Sequence, residues 1–81
     1  MNAHDVRRLR VCDVCDTLHD RDDMLTKFGD LCQVCALRRS GGITGFMAMY
    51  PVDDWKRLQL GVVGVKGMQT LLTAIRKATA P

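Results

Sequence analysis

Cys12, Cys15, Cys32 and Cys35 form two Cys-x-x-Cys pairs with sixteen residues between them, in an 81-residue chain that has no other cysteine. One such turn presents two thiolates from a tight bend, and two turns at this separation supply the four soft ligands that a tetrahedral zinc ion prefers. Four thiolates also close the coordination sphere. The chemistry predicted is therefore structural: one Zn2+, no open position for a substrate, and no catalysis. A disulfide framework belongs to an oxidising compartment, and the stretch MNAHDVRRLRV has no apolar run of the kind that forms a signal-peptide core. The expected setting is reducing and cytoplasmic. A redox dithiol would need a βαβ context that this pattern lacks. Iron–sulfur ligation is also compatible with the spacing.

Other reactive side chains assemble into nothing comparable. His19 sits in an Asp-rich turn and could substitute for a cysteine ligand, although four thiolates already fill a tetrahedron. His4 and Asn2 lie in the N-terminal arm. Asp20, Asp22 and Asp23 lack the glycine and distal glutamate of a calcium loop and read as a hydrophilic tip. No Ser/His/Asp set and no phosphate loop can be built from the remainder.

A chain of this length buries proportionally little apolar surface and needs a staple, which a structural metal provides. The formal charge is +3. Four thiolates and one divalent ion lower it by about two, so overall charge argues weakly for a polyanionic partner. Its distribution says more: residues 1–35 carry five Lys/Arg against seven Asp, and residues 36–81 carry seven against two. Steering of a phosphate backbone would come from the C-terminal half and the short Arg7, Arg8, Arg10 arm. The most apolar stretch, Ile43 to Tyr50, is far too short to span a membrane.

The elements that must position the cysteines follow from local pattern. Residues 1–10 read as a frayed basic arm. Val11 to Asp16 forms the first cysteine turn. Thr17-Leu18, a polar tip from His19 to Asp23 and the alternating run Met24 to Phe28 suggest a short hairpin, broken by Gly29-Asp30. Asp30 with Gln33 resembles a capping box, which starts a helix carrying Cys32 and Cys35 on its first turn. Leu31, Val34 and Leu37 are its expected buried side, and Gly41-Gly42 its stop.

The segments VCDVC, MLTKFGD and LCQVCALRR, in that order, resemble the treble-clef zinc finger over about residues 11–40, roughly half the chain. The resemblance implies Cys12, Cys15, Cys32 and Cys35 as zinc ligands. Asp16 departs from it, standing where such knuckles often carry glycine. A zinc ribbon, with both pairs on hairpins, conflicts with the helical pattern after Cys35.

Beyond the Ser40-Gly41-Gly42 junction the chain reads as helical. Ile43 to Met49 is ambiguous; Pro51 opens a helix with Val52, Trp55 and Leu58 along one side, ended by Gly61. Met68, Leu71, Leu72, Ile75 and Ala78 give the last helix an apolar stripe. The stretch 60–72 weakly resembles the turn of helix-hairpin-helix DNA-binding motifs, in which glycines let helix N-terminal amides grip a phosphate. Gly64 and Lys66 match that pattern, and Val62 replaces its first glycine.

The expected fold is a small zinc-stabilised α+β protein with three parts forming a single compact domain. These are a flexible basic arm (1–10), a four-cysteine zinc finger (11–40), and a helical extension of two or three short helices packed on the finger (43–81). The expected function is that of a small non-catalytic regulator. It would bind nucleic acid through Arg7, Arg8, Arg10, Arg38, Arg39, Lys56, Arg57, Gly64 and Lys66. The alternative is a protein-interaction module, an adaptor or inhibitor of a larger machine, using Phe46, Met47, Met49, Tyr50 and Trp55, since Met-rich surfaces repack readily. No membrane partner and no small-molecule substrate are expected.

Overall fold

The computed structural model describes residues 8–81, and its first elements differ from the predicted ones. Leu9–Val11 (β1) pairs antiparallel with Leu18–Asp20 (β2), in the register Leu9 with Asp20, Arg10 with His19 and Val11 with Leu18. The hairpin therefore brackets the first cysteine turn instead of following it. Arg8 and Arg10 are tied into it rather than frayed; the Arg8 carbonyl accepts the Arg21 N–H at 2.7 Å. Arg21–Asp23 forms a single 3-10 turn capped by the Asp20 carboxylate, which accepts the Asp22 N–H at 2.9 Å. The alternating run after it folds back on itself: Leu25 and Leu31 exchange both backbone hydrogen bonds, at 2.8 and 2.9 Å.

Four helices follow: α1 (Gln33–Ser40), α2 (Ile43–Met49), α3 (Val52–Trp55) and α4 (Leu60–Thr79). The expected capping box is absent. The N-cap of α1 is Cys32, and Gln33 is buried with other duties. Its amide donates to the Arg57 carbonyl at 2.9 Å and its Oε1 accepts the Gln59 N–H at 3.1 Å, joining finger to helical half. Such a buried amide is tolerated because both ends are satisfied. The helix stops where the glycines predict: Gly41 is left-handed (φ 79°), and the Gly41 and Gly42 N–H groups bond back to Arg38 and Leu37.

Tyr50 is extended before Pro51, as its position predicts, but α3 ends after one turn, and Gly61 lies inside α4 rather than ending a helix. α4 is broken once, at Gly64 (φ 78°, ψ 173°), a conformation that disfavours a Cβ.

One continuous core spans both halves. Cys12, Met24, Leu25, Leu31, Cys32, Cys35 and Ala36 meet Phe46, Tyr50, Leu58 and Leu71. Phe46 stacks on Tyr50 with ring centres 4.3 Å apart, and Phe28 meets Tyr50 edge-on at 5.2 Å. Both predicted stripes hold at Leu31, Leu37, Met68, Leu71 and Ile75 and differ at their edges. Val34 and Leu72 face out, while Gln33 and Ala36 on α1 and Val63 on α4 turn inward or against the core. The reason is that α1 buries its cysteine-bearing face, which the apolar count alone assigned elsewhere.

Gly45 sets the closeness of α1 and α2, since a Cβ there would land on the Ser40 carbonyl oxygen, a backbone atom that cannot swing away. Gly45→Ala is expected to destabilise the metal-loaded protein by roughly 2–3 kcal/mol through overpacking. Gly61→Ala, a helical site with nothing within 4 Å of the added carbon, should be neutral or stabilising. Urea unfolding of the two variants beside the parent checks the contrast.

Candidate metal centre

Local structure brings the cysteines together from two directions. The first pair sits on the knuckle between β1 and β2. There the Cys12 N–H bonds the Thr17 carbonyl at 3.0 Å and the Asp16 N–H bonds the Cys12 carbonyl at 3.0 Å. Asp16 takes a left-handed conformation (φ 58°), which Asp tolerates better than most residues, so the turn closes without a glycine. The second pair occupies the N-cap and third position of α1, on one side of its first turn.

Asp13 fixes the two bends to each other. Its N–H donates to the Asp30 carbonyl at 2.8 Å and its Oδ2 accepts the Asp30 N–H at 3.0 Å. Gly29 precedes this contact with φ 99°, and a Cβ on it would crowd that same carboxylate oxygen at 3.2 Å. Sequence reading missed Asp13, because it sits inside a cysteine turn where any polar residue looks like filler.

All four Sγ atoms lie within 4.8 Å of one another, and Cys15 and Cys32 approach to 3.9 Å. A tetrahedral ion with metal–sulfur bonds near 2.3 Å separates its sulfurs by about 3.8 Å, so the cage accepts one ion with slight contraction. None of the cysteines is disulfide-bonded. Cys12, Cys32 and Cys35 are buried and Cys15 is exposed.

The sulfurs are electrostatically unequal. Burial pushes the Cys12 thiol up, but backbone N–H groups of Cys32, Cys15 and Val14 outweigh it and bring the thiol down to about 6. One of these, the Cys32 N–H, lies 3.4 Å from Cys12 Sγ. Thr17 lowers Cys15. Burial raises Cys32, and burial together with the three neighbouring sulfurs pushes Cys35 up to about 12. Four uncompensated thiolates cannot share this space; a divalent cation at their centre resolves the repulsion and draws off the remaining protons. The site fits a resident metal ion, and its ligands would be Cys12, Cys15, Cys32 and Cys35.

His19 is not part of this cage. It lies opposite Arg10 on the hairpin, and its Nε2 is buried without a hydrogen-bond partner among the described residues, beside a cavity of about 100 Å3 that Cys32 and Gln33 also line.

The other predicted residues do not form one site. Arg7 lies outside the described residues. Arg8 is engaged by Asp20 (3.7 Å) and Asp22 (3.4 Å), and Arg57 by Asp54 (3.6 Å) and the carbonyls of Asp22 and Met24. Arg10, Arg38, Arg39, Lys56 and Lys66 are exposed and pair with no carboxylate among the described residues. The apolar surface expected around Phe46 to Trp55 is largely interior. Phe46 and Tyr50 are buried, Met47 and Trp55 half-buried, and the Trp55 indole N–H donates to the Tyr50 carbonyl at 2.7 Å. Only Met49 of that group is exposed, because the aromatic pair is what holds α2 to the finger. Among the described residues no helix is long and apolar enough to cross a membrane. Comparison with protein-family models, with curated proteins and with solved structures finds no match to this chain.

Proposed function

We propose that this chain is a small, non-catalytic zinc module that binds nucleic acid through its C-terminal half. Zinc is the ion favoured by four thiolates in a closed tetrahedral cage, where it acts structurally. A treble-clef-like arrangement of the finger is supported by the order of parts: a knuckle between paired strands, a minimal second hairpin at Leu25 and Leu31, then a helix bearing the second cysteine pair.

The observation that carries the nucleic-acid reading is the set of cations left over once the fold is satisfied. Arg38, Arg39, Lys56, Lys66, Arg76 and Lys77 are all exposed, and none lies within ion-pairing distance of a carboxylate among the described residues. Gly64 adds to it, since its break restarts α4 with Lys66 near the new N-terminus, where free amides and a lysine suit an anion. Fluorescence anisotropy with a labelled duplex, repeated at rising salt concentration, tests the reading. The affinity should fall with a log–log slope of about −0.9 per phosphate contacted. Arg38→Gln, Arg39→Gln and Lys66→Gln should each reduce that slope by about one contact. Binding that is indifferent to salt, or none at all, contradicts it.

A further inference from the structure

Arg21 was assigned no role by sequence, being placed in a solvated acidic tip, yet the fold brings it into a cleft with two other arginines from distant segments. Arg10 comes from β1, Arg21 from the 3-10 turn and Arg57 from the segment between α3 and α4; with Asp22, Thr26 and Asp30 they line a cavity of about 280 Å3. We propose that this cleft is a binding site for a phosphoryl group.

Three features support it. The Arg57 guanidinium is already held in place: Nη1 donates to the carbonyls of Asp22 (3.1 Å) and Met24 (3.3 Å), and Nε faces Asp54 at 3.6 Å. Its Nη2 donors have no partner among the described residues, so the free end of an anchored guanidinium is available at a reduced ordering cost. The Arg10 and Arg21 side chains make no hydrogen bond or ion pair among the described residues, and arginines that serve the fold, such as Arg8, do. Finally, of the two carboxylates in the lining, Asp22 is already engaged by Arg8 at 3.4 Å. Arg57 is likewise paired with Asp54, which leaves Arg10 and Arg21 as the two uncompensated cations of the lining and Asp30 as its one carboxylate without an ion pair among the described residues. Planar forks from three arginines lining one cleft suit the several acceptor oxygens and negative charge of a phosphoryl group.

The cleft's chemistry stands on its own geometry, and the reading above enters only in naming nucleic acid as one source of the phosphoryl group, a free phosphorylated compound being the other. Because Arg10 and Arg21 belong to the finger and Arg57 to the helical half, an occupant would bridge the two.

A 3′-labelled single strand, with or without a 5′ phosphate, and pyrophosphate as competitor separate the sources. The 5′-phosphorylated strand should bind about tenfold tighter than its unphosphorylated twin, a ratio that one charge-assisted contact accounts for. Arg10→Ala and Arg21→Ala should each erase most of that ratio and abolish competition by pyrophosphate, with metal content and circular dichroism unchanged. Arg38→Ala should weaken both strands equally and leave the ratio intact. If pyrophosphate binds in an Arg10- and Arg21-dependent way and no strand does, the cleft stands with a free phosphorylated ligand and the nucleic-acid reading falls. If neither the 5′ phosphate nor pyrophosphate shows any dependence on Arg10 and Arg21, the cleft proposal is overturned, and salt-sensitive strand binding would then leave only the reading above.

Discussion

Chelation of the bound ion at neutral pH is expected to unfold the cysteine-bearing half of the protein. The elements there are too small to persist alone: β1 and β2 have three residues each, and the second hairpin has only isolated bridges, Leu25 with Leu31 and Lys27 with Gly29. Among the described residues its buried apolar content is limited to Met24, Leu25, Leu31, Ala36 and three of the cysteines. Isolated two-stranded hairpins are marginal in water, and an 8-residue helix is below the length at which helices hold without tertiary support. A structural zinc contributes apparent binding free energy of about 10–16 kcal/mol, which equals or exceeds the whole stability of a typical small domain, about 5–15 kcal/mol. Amide chemical shifts recorded before and after a strong chelator should collapse for residues 9–40 and return when zinc is restored. Dispersed shifts surviving in that segment after metal loss would show that apolar packing alone holds it.

Phe46→Ala should have the largest effect of any substitution outside the cysteines. Phe46 has no solvent exposure, stacks on Tyr50 with the rings inclined by only 12°, and stands at the junction where α2 meets both the finger and Leu71 of α4. Truncating a buried Phe removes its transfer free energy and leaves a cavity, a cost of about 3–5 kcal/mol. For a chain of this size that is a large share of the total. Phe46→Leu keeps most of the volume and should cost less, about 1–2 kcal/mol. Urea unfolding of the metal-loaded proteins gives both values; a cost below about 1 kcal/mol for the alanine variant would mean that the Phe46 ring is not the centre of the core.

The metal cage was legible because a Cys-x-x-Cys pair constrains geometry on its own: two thiolates in one turn point the same way whatever surrounds them. The helical second half, the glycine stop at Gly41 and the extended Tyr50 before Pro51 were legible for the same reason, each resting on a local conformational rule. Pairing partners were not. Which strand joins Leu18–Asp20 depends on where the turn sends the chain, and three residues split between the basic arm (Leu9, Arg10) and the cysteine turn (Val11) are too few to show an alternation. Gln33 was misread as a cap because its real partners, Arg57 and Gln59, are more than twenty positions away. For Phe46 and Tyr50 core and partner surface both stay open in the sequence, because composition cannot tell an apolar residue that closes a small core from one that greets a partner. Arg21 reads as part of a solvated tip because its neighbours in sequence are acidic, and only the fold brings Arg10 and Arg57 to the same cleft.

X-ray absorption at the zinc edge on reduced, purified protein tests the central claim most directly. The prediction is one zinc per chain in a single shell of four sulfurs at about 2.3 Å. A substoichiometric ion, a first shell containing nitrogen or oxygen, or cysteines found bridged to one another would contradict it.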